Sequence, residues 1–250
     1  MESKTIEKKR CTAIILAAGS GSRMQSDIPK QYMPLCGKPL IWYALNAVQE
    51  SEIIDDCILV TAESDIPYMR DEIVKKYNFS KVDAIVEGGA ERYLSVANAM
   101  RVIASPNRAV PNEDGYVFIH DGARPFLTEK ILRDTYEAVC EYHACVAAVP
   151  SKDTIKIVDG QGYVSGTPER KYVWSIQTPQ VFDTILILQA YERLMNRLPQ
   201  MEQNGITVTD DASVVELFTN QRVKLVEASY ENIKITTPED IKTAEAFLGN

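Results

Sequence analysis

Histidine is scarce in this chain: His120 and His143 are the whole supply, too few for a multi-histidine metal site. The five cysteines, at positions 11, 36, 57, 140 and 145, show no zinc-type CxxC pairing. Any metal is therefore expected to be a hard, oxygen-bound ion such as Mg²⁺. Long apolar runs are missing too; none approaches the roughly 20 residues that span a bilayer. The N-terminal MESKTIEKKR has no apolar core of the secretory kind, so no signal peptide is read and a loose lead-in to a strand is expected. An odd number of thiols without such a signal points to a cytoplasmic location. Positive charge is not in excess: 27 Lys and Arg against 35 Asp and Glu leave a net charge of −8. That balance disfavours nucleic acid and anionic membrane as partners but leaves room for a small anionic ligand in a local basic pocket.

What is present is an ordinary soluble composition, 45% hydrophobic and 25% charged, in 250 residues, enough for one α/β domain with a core. Short apolar runs alternate with amphipathic segments. Strands are expected at 12–18 (TAIILAA), 57–61, 83–86, 116–120 and 144–149, and helices at 39–49, 66–77, 91–104 and 128–142. This alternation predicts a Rossmann-like, mostly parallel sheet with helices on both faces. Ligands of such sheets bind beyond the carboxyl ends of the strands. The pattern breaks after Pro150: residues 151–176 hold short β-type pieces around a Gly160–Gly162 turn, which predicts a hairpin arm. An isolated hairpin is marginal, so this arm is expected to pack on something, a second subunit being one choice. A helix at 182–198, a second led by TDDAS, a strand at 223–228 and a helix from Pro238 complete the reading.

The loop LAAGSGSRMQSDIPKQY, residues 16–32, follows the first strand. It is not a P-loop, since GxxxxGK[ST] is absent, and a dinucleotide fingerprint begun at Gly19 and Gly21 would need glycine where Met24 stands. Its glycines and serines suit a phosphate, and the cations Arg23 and Lys30 suit charge that grows during a reaction. In HDGARP, Asp121 sits at a strand's carboxyl end, placed for Mg²⁺, with Arg124 for a second phosphate; taken alone, the same Asp would serve equally as a turn cap. His120 reads as structural. In EGGAERYLSV, the two glycines and Ser95 could face a base or ribose, or form a plain turn. Thr154, Arg170, Thr178, Thr209 and Lys234 lie on late loops and individually signify nothing.

Together these motifs carry a resemblance. LAAGSGSRM followed by PKQY is similar to the signature of sugar-nucleotide and related nucleotidyltransferases. The ordered set with EGGAERYLSV, HDGARP, KDTIK, TPERKYVWSIQTPQVF, TDDAS and ENIKITTPED resembles the 2-C-methyl-D-erythritol 4-phosphate cytidylyltransferases of the non-mevalonate isoprenoid pathway, over roughly residues 12–248. The resemblance implies transfer of CMP from CTP to methylerythritol phosphate, with Mg²⁺ and release of pyrophosphate. It implies that Ala17, Ala18 and Gly19 line the nucleotide site, that Gly89 and Ser95 contact cytidine, and that Arg23 and Lys30 grip the triphosphate. It further implies Lys234 at the α-phosphate, Asp121 at the metal and sugar phosphate with Arg124 nearby, and Thr178 and Thr209 on the sugar phosphate. Thr154 and Arg170 would lie on an arm reaching into the partner's site in a homodimer with shared active sites. Two positions depart from the family pattern: Gly122 where many members have alanine, and Ala90 where some have an acid facing the base. The alternatives are a sister cytidylyltransferase acting on ribitol 5-phosphate, a dinucleotide-dependent oxidoreductase and a non-catalytic nucleotide-binding protein.

Overall fold

The computed structural model describes residues 8–19, 21, 24, 28–106, 108, 114–205 and 207–249. Strand β1 (Cys11–Leu16) is a buried apolar run, and its alternate side chains serve two cores. Ala13 and Ile15 join the core that takes Ile41, Ala44 and Leu45 of helix α1 (Leu40–Glu50), while Ile14 faces the other side of the sheet. The run predicted to continue to residue 18 ends at Leu16, although the Ala17 N–H still donates to the Val60 carbonyl at 2.7 Å. The lead-in is tied down from Lys8 onward: its Nζ pairs with Asp55 at 2.7 Å, and the Arg10 carbonyl accepts from the Tyr116 N–H.

The described elements between β1 and α1 include a one-turn 3₁₀ helix (Lys30–Tyr32) and a tiny ribbon of β2 (Pro34–Leu35) and β3 (Lys38–Pro39). Strand β4 (Asp56–Thr61) leads to α2 (Ile66–Tyr68), which widens without a break into a π-helical Met69–Lys75 where a regular helix to residue 77 was expected. Then come β5 (Val82–Glu87), α3 (Arg92–Ile103), β6 (Tyr116–Asp121), α4 (Glu129–Tyr142) and β7 (Ala144–Pro150). Helix α4 is bounded by recognisable chemistry. The Thr128 Oγ1 accepts from the Ile131 N–H, and His143 closes the helix in the left-handed region at φ 62°.

The arm contains β8 (Ile157–Val158) and β9 (Val164–Gly166), paired only with each other. It is shorter than predicted, because residues 174–176 belong to β10 (Trp174–Asp183), a ten-residue strand of the main sheet. Phe182, placed at a helix start by the sequence, is a fully buried residue of β10; helix α5 (Thr184–Gln203) begins two residues later. Helix α6 (Asp211–Phe218), β11 (Lys224–Glu227) and α7 (Pro238–Leu248) complete the chain.

The seven-stranded sheet has the order β11-β7-β10-β6-β1-β4-β5. Every strand is parallel to its neighbours except β10, which enters antiparallel between β6 and β7. Helices α3, α5 and α6 cover one face, and α1, α4 and the π-helical segment cover the other. No described helix is long and apolar enough to cross a membrane.

Candidate active site

Beyond the carboxyl ends of β1, β5 and β6 lies a cleft of about 390 Å³. Its walls are Ala17, Ala18 and Gly19 after β1, Gly89 to Arg92 and Ser95 after β5, Asp121 to Ala123 after β6, together with Lys30, Gln31 and Lys234. Of the residues singled out from the sequence, it gathers Ala17, Ala18, Gly19, Lys30, Gly89, Ser95, Asp121 and Lys234. Arg23 lies outside the described residues. The approach of two loops depends on glycine. A Cβ on Gly88 would stand 2.3 Å from the Ala18 Cβ and 3.0 Å from the Ser95 Oγ. The Ser95 hydroxyl accepts from the Gly89 N–H at 3.0 Å, so it holds the glycine turn in place against the helix.

Asp121 is the electrostatic hub. Its Oδ2 lies 2.8 Å from the Lys234 Nζ and 3.9 Å from the Arg124 Nε, and its Oδ1 lies 3.3 Å from the Arg92 Nε. Burial alone would raise the carboxyl pKa; Arg92, Lys234 and Arg124 outweigh it and hold the group well below the usual carboxylate range. Asp121 is therefore a fixed anion ringed by cations.

Arg92, not singled out from the sequence, is the residue that joins this hub to the interior. Its Nη2 donates to the Asp211 Oδ2 at 2.8 Å, and the Tyr191 hydroxyl donates to the Asp211 Oδ1 at 2.6 Å. Burial works against the Arg92 charge, but Asp211 and Asp121 reverse that and push its pKa up. A signal was there to read: a cation in the first turn of a helix opposes the macrodipole and needs acidic partners to justify it. The second acid of TDDAS was likewise a signal. Asp210 caps α6 through the Ser213 N–H, which leaves Asp211, fully buried, for another task.

The substrate-phosphate candidates separate into three groups. Arg124 is mostly buried beside the cleft, donating from Nη1 to the Asn232 carbonyl at 2.7 Å, and burial lowers its pKa. Thr178 is buried behind Asp121: its Oγ1 accepts from the Asp121 N–H at 3.1 Å and lies 3.0 Å from the His120 Nδ1. The His120 Nε2 is 3.1 Å from the Arg124 carbonyl, which can only accept, so the proton sits on Nε2 and the Thr178 hydroxyl donates to Nδ1. Burial above all lowers the His120 pKa to about 4, so the ring is neutral at pH 7 and acts as a structural strut. Thr154, Arg170 and Thr209 are exposed and do not line the cleft. Arg170 donates to the Lys152 carbonyl at 3.3 Å, near the base of the arm.

Lys234 reaches the cleft because its loop is laced to its neighbours. The Asn232 Nδ2 donates to the Gln177 Oε1 and the Thr178 carbonyl, and the Ile235 N–H donates to the Ala123 carbonyl at 2.9 Å. Among the described residues no group of three or more His, Cys, Asp or Glu side chains could hold a metal by itself.

Glycine turns that let backbone come close, and cations set around one carboxylate beyond the strand ends, suit a nucleoside triphosphate undergoing substitution at phosphorus. The class of protein they define is a nucleotidyltransferase. The chain matches the IspD family, 2-C-methyl-D-erythritol 4-phosphate cytidylyltransferase, over residues 11–250, and it belongs to that family. It is 51% identical to the 2-C-methyl-D-erythritol 4-phosphate cytidylyltransferase of Lachnospira eligens, covering 95% of this chain and 98% of that one. It is 42% identical to the protein of the same name from Lachnoclostridium phytofermentans, covering 96% and 97%. The crystal structure of 4-diphosphocytidyl-2C-methyl-D-erythritol synthase from Anaerococcus prevotii superposes with a TM-score of 0.80 at 35% identity, covering 98% of this chain and 100% of that one.

Proposed function

We propose that the protein transfers CMP from CTP to 2-C-methyl-D-erythritol 4-phosphate, giving 4-diphosphocytidyl-2-C-methyl-D-erythritol and pyrophosphate in the non-mevalonate isoprenoid pathway. The observation that carries the chemistry is the Arg92–Asp121–Lys234 cluster beside Lys30 in the cleft. The nucleophile is the substrate's own phosphate oxygen, already anionic at neutral pH, so no general base is required. In-line attack on the α-phosphorus needs alignment and stabilisation of charge on the phosphoryl oxygens and the departing pyrophosphate. Lys30 and Arg23 supply that stabilisation, and Lys234 holds the α-phosphate. The loop of Ala17, Ala18 and Gly19 receives the nucleotide, and the Gly89 turn braced by Ser95 receives cytidine, whose contacts come from backbone since Ala90 offers no acid.

Mg²⁺ is part of this proposal. It commonly binds through one or two carboxylates plus phosphate oxygens, and the cleft offers the ionised Asp121 with Glu91 at its wall and, among the described residues, no all-protein cage. The donor set fits an ion that arrives with the triphosphate: Asp121 would hold it, and it would neutralise phosphate charge.

A homodimer is proposed on the composition of the arm. Ile157, Val158, Tyr163 and Val164 expose more than half of their surface, and Tyr172 exposes 75%. Covering these on a second copy would carry Thr154 and Arg170 to the partner's cleft, with Arg124 and Thr209 on the receiving side around the sugar phosphate and Thr178 supporting Asp121 from behind. A cytoplasmic location, in keeping with five free thiols, belongs to the same reading.

The deciding experiment is a pyrophosphate-release assay crossing CTP, UTP and ATP with methylerythritol phosphate and ribitol 5-phosphate. Release with CTP and methylerythritol phosphate alone is the expected result. Preference for ribitol phosphate would assign the sister activity, and no release from any pair would remove the catalytic reading.

A further inference from the structure

Asp65 stands outside the cleft, in the turn that follows β4, yet it grips the segment that delivers Lys30. Its Oδ2 accepts from the Tyr32 hydroxyl at 2.8 Å and from the Gln31 Nε2 at 3.4 Å. Burial, with Asp65 adding to it, raises the Tyr32 pKa, so the phenol keeps its proton and remains a donor. The Tyr32 ring also meets Tyr68 of α2 edge-on, with centroids 4.7 Å apart. From the other side Gly21, at φ 64°, comes so close that a Cβ there would stand 2.8 Å from the Lys30 Cβ. The Lys30–Tyr32 segment is a single turn closed by two backbone hydrogen bonds, Tyr32 N–H to Pro29 and Met33 N–H to Lys30. So short a turn has little cooperativity of its own and takes its position from its anchors.

We propose that Asp65 is a positioning residue for the transfer reaction: by clamping Gln31 and Tyr32 it sets where the Lys30 ammonium stands over the triphosphate. This rests on the role of Lys30 proposed above. A side chain that acts only through Lys30 makes no difference once Lys30 is gone, which separates it from a residue that merely supports the fold. Displacement of a catalytic group by about 1 Å costs up to ~10²-fold in rate, and loss of one clamp out of several should cost about tenfold.

The test is a double-mutant cycle in the pyrophosphate-release assay, with Asp65→Ala built into the wild-type and Lys30→Ala chains. The expected result is a kcat lower by about tenfold on the wild-type background and by less than about twofold on the Lys30→Ala background. Tyr32→Phe, which keeps the ring against Tyr68 and deletes the donor, should repeat the pattern and decides the matter if Asp65→Ala does not fold. An unchanged kcat, or an equal loss on both backgrounds, overturns the assignment. A Lys30→Ala chain with wild-type kcat would instead overturn the role of Lys30, and the clamp's purpose with it.

Discussion

The Lys234 ammonium lies 2.8 Å from the Asp121 carboxylate, although one residue comes from the middle of the chain and the other from near its C-terminal end. Asp121 ends β6 in the middle of the sheet, and Lys234 arrives on the loop after β11, the strand at the sheet's edge. Their meeting requires β10 between β6 and β7, because Gln177 and Thr178 of that strand anchor Asn232 just before the lysine. The site is thus assembled by the sheet's order as much as by any one motif.

Replacing Lys30 or Arg23 with alanine should lower kcat by ~10²–10³, the scale for losing one preorganised charge at the transition state. Steady-state kinetics on chains with native circular dichroism would check this. Near wild-type turnover would remove the charge-stabilising role from the residue concerned.

Arg92→Ala should destabilise the fold as well as the site. Among the described residues it leaves the carboxylate of Asp211, fully buried, with only the Tyr191 hydroxyl, and removing one partner of a buried ion pair costs about 3–5 kcal/mol. We expect a clearly lower urea midpoint for Arg92→Ala and a partial return in the Arg92→Ala, Asp211→Asn double mutant. An undiminished midpoint in the single mutant would show that the pair is not a structural element.

Stability should fall in mildly acidic solution because of His120. Its folded pKa, lowered to about 4 from 6.5, means that between these values the unfolded chain binds the proton and the folded chain does not. Stability is therefore undiminished by this group above about pH 6.5 and declines as pH drops toward 4, by about 3 kcal/mol in all. Urea titrations of wild type and His120→Gln across that range should show a shallower slope in the variant. Asp121 acts lower down: its depressed pKa lends stability that is complete above the ordinary aspartate value near 4 and is lost only on further acidification.

Arg170→Ala should raise the KM for methylerythritol phosphate more than that for CTP, since Arg170 is proposed to serve the partner's sugar-phosphate site. Mixing Arg170→Ala and Lys30→Ala chains, each impaired alone, should recover part of the activity through heterodimers that contain one intact site. No recovery after confirmed subunit exchange would argue that each site is built from a single chain.

Much of this was legible in local sequence. Short apolar runs located β1, β4 and β6, and Thr128 and Asp210 marked helix starts, because burial pattern and capping are properties of neighbouring residues. Asp121, Lys30 and the Gly88–Gly89 turn were recognisable because loops at strand ends carry chemistry in parallel sheets. The ordered motifs also named the family that the comparisons then showed. Residues 174–183 misled: the mixed WSIQTPQVF fits an arm followed by a helix as readily as one long strand, and its antiparallel seat between β6 and β7 depends on partners distant in sequence.

By itself, then, the sequence determined the alternation of strands and helices, the phosphate-seeking loops and the family, since each is written in contiguous residues. Tertiary structure alone decided the company those residues keep. It set Arg92 between Asp121 and Asp211, made His120 a neutral strut between Thr178 and the Arg124 carbonyl, and put Asp65 on the Lys30 turn. The physical reason is that burial and charge pairing act between groups close in space, and only the folded sheet brings these groups together.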